Sequence, residues 1–208
     1  MKILTIYILC LFTVSCIRAN EKVDSNKMNS EKIIQKTQQD SSFYWEALNE
    51  DQKAEILKSK EINRTAIDFY HGKIKVGDNN ITINLLDTIT SFHNSKAISS
   101  FYFFLFNKIC NTADGALSEI LGSYCQRLIL NSPSYVIDYF SHNDKIMKKY
   151  AELLGYELYF KEDGTSEIEY GYSDFKKILS GKLENKEKYN NILKRFYKEI
   201  EISMNSMN

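Results

Sequence analysis

The sequence predicts a mainly α fold, an irregular multi-helix bundle or a HEAT-like α–α array, with one small β-hairpin near 156–171. Three observations carry that expectation. Apolar residues recur at helical spacing in most segments between residues 43 and 200. The 208 residues hold one proline against 14 Tyr, 12 Phe and 1 Trp, a balance foreign to disordered chains. Alternation replaces helical spacing around Glu162-Asp163-Gly164-Thr165.

The elements follow in order. Phe43, Ala47, Leu48, Ala54 and Leu57 form a first stripe, which Asn49-Glu50-Asp51 can divide in two. Ile62, Ala66, Ile67 and Tyr70 form a second, stopped by Gly72. Residues 73–84 fit two readings, a hairpin around Gly77-Asp78-Asn79-Asn80 or a helix capped by Asn80. Leu85, Leu86, Ile89 and Phe92 extend the pattern beyond strand length, which favours the helix. Within Ala97 to Cys110, the run Phe101 to Phe106 is apolar on nearly every face and belongs inside the body, with Phe104 as a core residue.

Leu117, Ile120, Leu121, Tyr124 and Leu128 give a one-sided stripe on the next helix. Ser132-Pro133 opens a short one, because serine caps and proline suits the first turn. Ile146, Met147, Tyr150, Leu153 and Leu154 mark another, which Gly155 is expected to stop. Strands are expected near 156–161 and 166–171, joined by Asp163-Gly164. Phe175, Ile178 and Leu179, then Ile192, Leu193, Phe196 and Ile200, return to helix.

Ahead of this body, Met1-Lys2 precedes an uncharged stretch, Ile3 to Val14, of twelve residues. Crossing a hydrocarbon core takes about 20 helical residues, so the stretch matches the apolar region of a secretory signal instead. It closes on Thr13-Val14-Ser15-Cys16, a small residue directly before a cysteine. That segment resembles the lipobox of bacterial lipoproteins, whose cysteine is lipidated and becomes the mature N-terminus. The match is partial, since Thr13 stands where the family has leucine. A rival cleavage after Ala19 has Ile17 in place of a small residue.

The resemblance covers about sixteen residues. It implies lipidation at Cys16, a membrane partner held through the N-terminal lipid, and a place in the bacterial cell envelope facing the periplasm. Two or three acyl chains anchor stably where one binds only marginally. On this reading residues 1–15 are a signal peptide, 16–40 a lipidated polar tether and 41–208 a single helical domain.

Charge narrows the function classes. The 27 basic and 27 acidic side chains cancel, which leaves no surplus cations for a nucleic-acid backbone. His71, His93 and His142 form no metal-binding pair at helical spacing, although Asp68 and Asp144 lie near two of them. Glu167 and Glu169 fall on one side of the expected hairpin, where carboxylates are ordinarily solvated. No catalytic, cofactor-binding or metal-binding residue is assigned, no cofactor is expected, and nothing argues positively for an enzyme.

Of four cysteines, Cys10 leaves with the signal and Cys16 takes the lipid. Cys110 and Cys125 are expected as buried thiols. In a simple antiparallel hairpin they would stand ~13 Å apart along the axis, beyond the ~7 Å that a disulfide tolerates. Two functions remain. One is a non-catalytic envelope lipoprotein whose helical domain binds another protein, in an envelope complex or as a toxin-neutralising partner. The other is an envelope glycan-acting hydrolase using carboxylates from separate segments, with Tyr44, Trp45 and Glu46 as the first place to look.

Overall fold

Capping side chains decide where most of the helices begin. The computed structural model describes residues 43–113, 115–162, 164–165 and 168–207. After a 3-10 turn at Trp45–Ala47, nine α-helices follow among the described residues: α1 Glu50–Leu57, α2 Arg64–Tyr70, α3 Asn80–Thr90, α4 Lys96–Thr112 and α5 Gly115–Asn131. Then come α6 Pro133–His142, α7 Asp144–Glu162, α8 Tyr172–Lys182 and α9 Lys186–Asn205. The fold is all-α, as its spacing predicted.

Asn49 opens α1 with a reciprocal capping box. Its side chain accepts from the Gln52 N–H at 2.9 Å, while its own N–H donates to the Gln52 amide oxygen at 3.0 Å. Asn63 caps α2 and Asn185 caps α9 in the one-way form. Residues 73–84 resolve toward the helix, but the cap is Asn79, which accepts from the Thr82 N–H at 3.0 Å. Asn80 is the first helical residue instead. Phe92 falls past the end of α3 and is 72% exposed, so it is no part of the core.

Gly72 ends α2 as expected, and the reason is visible in two bonds. At φ 72° it sits in the left-handed region, its N–H reaching the Phe69 carbonyl while Lys73 reaches Asp68. This is a Schellman stop. Gly164 repeats the device at φ 81°, with its N–H on the Lys161 carbonyl and that of Thr165 on Phe160.

That second stop corrects the expected hairpin. Residues 156–161 are helical, and α7 runs through Gly155 without pause. The positive φ that a hairpin turn asks of glycine is also what a helix C-terminus asks, and here the helix takes it. Leu158, which fits the alternating pattern, also continues the buried helical series Met147, Tyr150, Ala151, Leu154. Residues 168–171 are irregular, and residues 166 and 167 of the other expected strand lie outside the described residues.

Gly155 serves contact, not termination. A Cβ there would lie 2.6 Å from the Ser203 Cβ and 3.0 Å from the Ile200 carbonyl, so α9 rests directly on the α7 backbone. Gly122 does the same for α5, where a Cβ would lie 2.3 Å from the Leu153 carbonyl of α7. Helix α7 is therefore the axis of the second half, flanked closely on two sides. Its Tyr150, fully buried, also meets Phe103 and Phe106 of α4 and Phe140 of α6.

Phe101, Tyr102, Phe103, Leu105 and Phe106 of α4 are buried, as the sequence implies. Phe104 is the exception. It is only half-buried and leans on Tyr70 and Trp45 from outside. No helix among the described residues is long and apolar enough to cross a membrane.

Candidate functional site

A recess of about 720 Å³ opens between α5, α8, Thr165 and the irregular residues 168–170. Its floor is set by Gln126. This amide is 3% exposed and pairs both ways with the Tyr170 backbone, donating to the carbonyl at 2.8 Å and accepting from the N–H at 3.3 Å. A side-chain amide thus replaces the neighbouring strand that an extended segment would otherwise seek. Lys182 donates to the Leu130 carbonyl at 2.9 Å and closes the end of α5.

Ile120, Leu130, Ile168 and Ile178 supply apolar wall, while Ser123, Asn131 and Thr165 supply hydroxyls and an amide. Arg127 stands at the edge, paired to Asp87 at 2.9 Å and lying over the Tyr124 ring. Two carboxylates, Glu157 of α7 and Glu169, line the same recess from separate elements. The arrangement can grip a ligand that offers both hydrogen-bonding and aliphatic groups.

A second polar cluster lies where the described chain begins. Asp138 on α6 accepts from the Tyr44 hydroxyl at 2.8 Å and from the Lys188 ammonium at 2.6 Å. Burial alone would raise the Asp138 carboxyl, but those two bonds outweigh it and hold the group below its ordinary range. Burial and the same bond to Asp138 push the Tyr44 hydroxyl up. Tyr139 donates to Glu46 at 3.0 Å.

Tyr44, Trp45 and Glu46, the first place to look for the hydrolase, are engaged within the fold. Trp45 is 1% exposed, wedged against Tyr70 and Phe101, and offers no face to a ligand. Glu46 and Tyr44 are fastened to α6.

The histidines are separate as well. His71 caps α2 and lies against Tyr70, while Asp68 turns to Arg64 and Lys73, each at 3.4 Å. His93 stacks on Tyr102 at 4.3 Å, its Nε2 3.0 Å from the Thr88 carbonyl, and burial lowers its pKa. His142 bonds within its own helix end, and Asp144 pairs with Arg195 and Lys148. Among the described residues no group of three or more His, Cys, Asp or Glu is placed to hold a metal ion.

Set against family models, curated proteins and solved structures, the chain matches none. The recess itself was not read from the sequence. Its one signal was Gln126, a polar residue beside the apolar stripe Leu117 to Leu128 whose burial required a partner. Of the carboxylates singled out earlier, Glu169 borders the recess and Glu167 lies outside the described residues. Cys16 and the whole signal and tether also lie outside them.

Proposed function

We propose that the protein is an envelope-anchored lipoprotein, lipidated at Cys16, whose helical body binds another protein through the recess between α5 and α8. The observation that carries the binding half is the lining of that recess. Its volume of about 720 Å³ falls in the range of ligand-accepting clefts, ~300–1,000 Å³. Aliphatic walls beside hydroxyls and amides suit an inserted side-chain anchor with flanking backbone groups, the usual centre of a protein interface. The anchoring half rests on Ile3 to Val14 and the Thr13-to-Cys16 segment.

A photo-crosslinking residue at Ser123, at the mouth of the recess, tests the binding half in the intact envelope. The expected result is one discrete adduct, lost on Ile178→Arg and missing when the probe sits at exposed Lys198 on α9. Equal labelling from both positions, or none from Ser123, overturns it. Separately, Cys16→Ser should abolish palmitate labelling and release the protein from the membrane. Labelling that survives the change overturns the lipoprotein half.

A second reading has one observation in its favour. Glu157 and Glu169 face one recess from separate elements, the disposition that glycoside hydrolysis asks of two carboxylates. Release of reducing sugar from envelope glycan that Glu169→Gln abolishes would establish it; no release from the unsubstituted protein removes it.

A further inference from the structure

We propose that Cys110 and Cys125 are an oxidisable pair that closes a disulfide between α4 and α5. Both are free and buried, at 1% and 0% exposure. Packing of both helices on α7, more than direct contact between them, sets their separation. Helices α4 and α5 touch each other little, and both pack on α7.

Two contacts converge there. Tyr150 of α7 donates to the Asn107 amide oxygen at 2.7 Å, and Asn107 lies one turn before Cys110 on the same face of α4. Gly122 of α5 rests on Leu153 of α7. One turn on along α5 is Cys125, and one turn back along α7 is Tyr150, so the antiparallel register of this pair brings those two together. Tyr150 accordingly has both thiols as neighbours, and the thiols of Cys110 and Cys125 are neighbours of each other.

Burial, then the bond to Cys110, pushes the Cys125 thiol well above its ordinary range. In the closed fold it is therefore a thiol, a poor nucleophile that no oxidant reaches. Oxidation belongs to the newly translocated or transiently opened chain, and the oxidant is a disulfide, protein-borne or small. One cysteine thiolate attacks that disulfide, forming a mixed disulfide and releasing one sulfur of the oxidant as a thiol. The second cysteine thiolate then displaces the other. The pair loses two protons and two electrons, and the oxidant leaves as two thiols. Folding around the bond then shields it, so the redox state met during folding is kept afterwards.

Sequence makes the test direct. No Lys or Arg lies between Lys108 and Arg127, so trypsin releases both cysteines on one peptide, 109–127. A cut after Glu119 divides that peptide between them. The full-length chain in mild detergent is refolded from denaturant with a mixture of reduced and oxidised glutathione, alkylated, and digested with trypsin and a glutamyl endopeptidase.

The expected product is the two fragments joined, parting only on reduction, and closed to dithiothreitol until denaturant is added. The oxidised chain should also melt about 5–10 °C above the reduced chain, at equal helical content. Fully alkylated fragments overturn the proposal, as does either cysteine joined to Cys10, Cys16, glutathione or a second chain. An oxidised chain that melts no higher than the reduced one overturns it too, because the native helices would then not accommodate the bond. None of these outcomes depends on lipidation or on the recess.

Discussion

Replacing Gly122 with alanine should destabilise the protein, although the same change normally strengthens a helix. In the middle of α5 the substitution removes the backbone freedom of glycine, worth up to ~1 kcal/mol in favour of the helix. The added Cβ, however, would stand 2.3 Å from the Leu153 carbonyl oxygen and 2.3 Å from Glu157 Cγ. A carbon–oxygen contact settles near ~3.3 Å, so α5 and α7 must part by about 1 Å. Glu157 can swing away, but the carbonyl belongs to the backbone of α7 and cannot. Overpacking of this kind costs ~1–3 kcal/mol, and a fixed obstacle argues for the upper end. The net loss is then about 2 kcal/mol, or a fall in Tm of ~4–8 °C for a body of this size. Gly181→Ala supplies the matched control, since nothing lies within 4 Å of a Cβ there. It should gain ~0.5–1 kcal/mol and melt slightly higher. Thermal unfolding followed by far-ultraviolet circular dichroism reads both. If Gly122→Ala melts at or above the parent, α5 does not rest on the α7 backbone and the register used for Cys125 fails with it.

The remaining predictions concern burial and pH. Phe101→Ala, at a fully buried position, should cost ~3–5 kcal/mol, whereas half-buried Phe104→Ala should cost about half as much; equal losses in Tm would contradict the placement of Phe104. Because Asp138 is held below its ordinary range in the fold, its contribution is present above the unfolded value of ~3.9 and lost as pH falls through the folded one. Asp138→Asn should therefore lower stability at neutral pH and flatten that acid limb in denaturant titrations, and an unchanged limb would refute the assignment. His93 is likewise lowered, by burial, so its contribution is present above ~6.5 and lost as pH falls below it. His93→Gln should remove that mildly acidic slope, with Tm measured from pH ~7.5 to ~5 as the check.

What was legible in the sequence was whatever depends on neighbours along the chain. The stripes Leu117 to Leu128 and Ile192 to Ile200 became helices because their apolar period is local and strong. Gly72 stopped α2 for the same reason. Gly155 misled because its role was set by a distant element: it is small so that α9 can approach α7, and nothing nearby in sequence distinguishes such a glycine from a helix stop. Gly164 misled differently, because a hairpin turn and a Schellman stop both need a positive φ. The recess stayed hidden because Gln126 meets Tyr170 across 44 residues, a pairing that no local period encodes.

The start of the described chain shows how such non-local bonds would serve a chain anchored as proposed. Phe43, Trp45 and Leu48 are buried within six residues of where the described chain begins. Trp45 wedges against α2 and α4, and Tyr44 is bonded to Asp138 of α6, which Lys188 of α9 holds from the far side. On the lipoprotein reading, any pull from the membrane enters at Phe43 and is shared at once by helices that follow much later in the chain. A solvated side chain at position 45 would remove the wedge against α2 and α4 and leave that pull to the bonds of Tyr44 and Glu46 with α6. The recess lies on other elements, between α5 and α8, so tension at the anchor and occupancy at the groove act on different surfaces of one core. Substitutions at Trp45 should therefore change stability, and substitutions at Ile178 binding, with little exchange between the two.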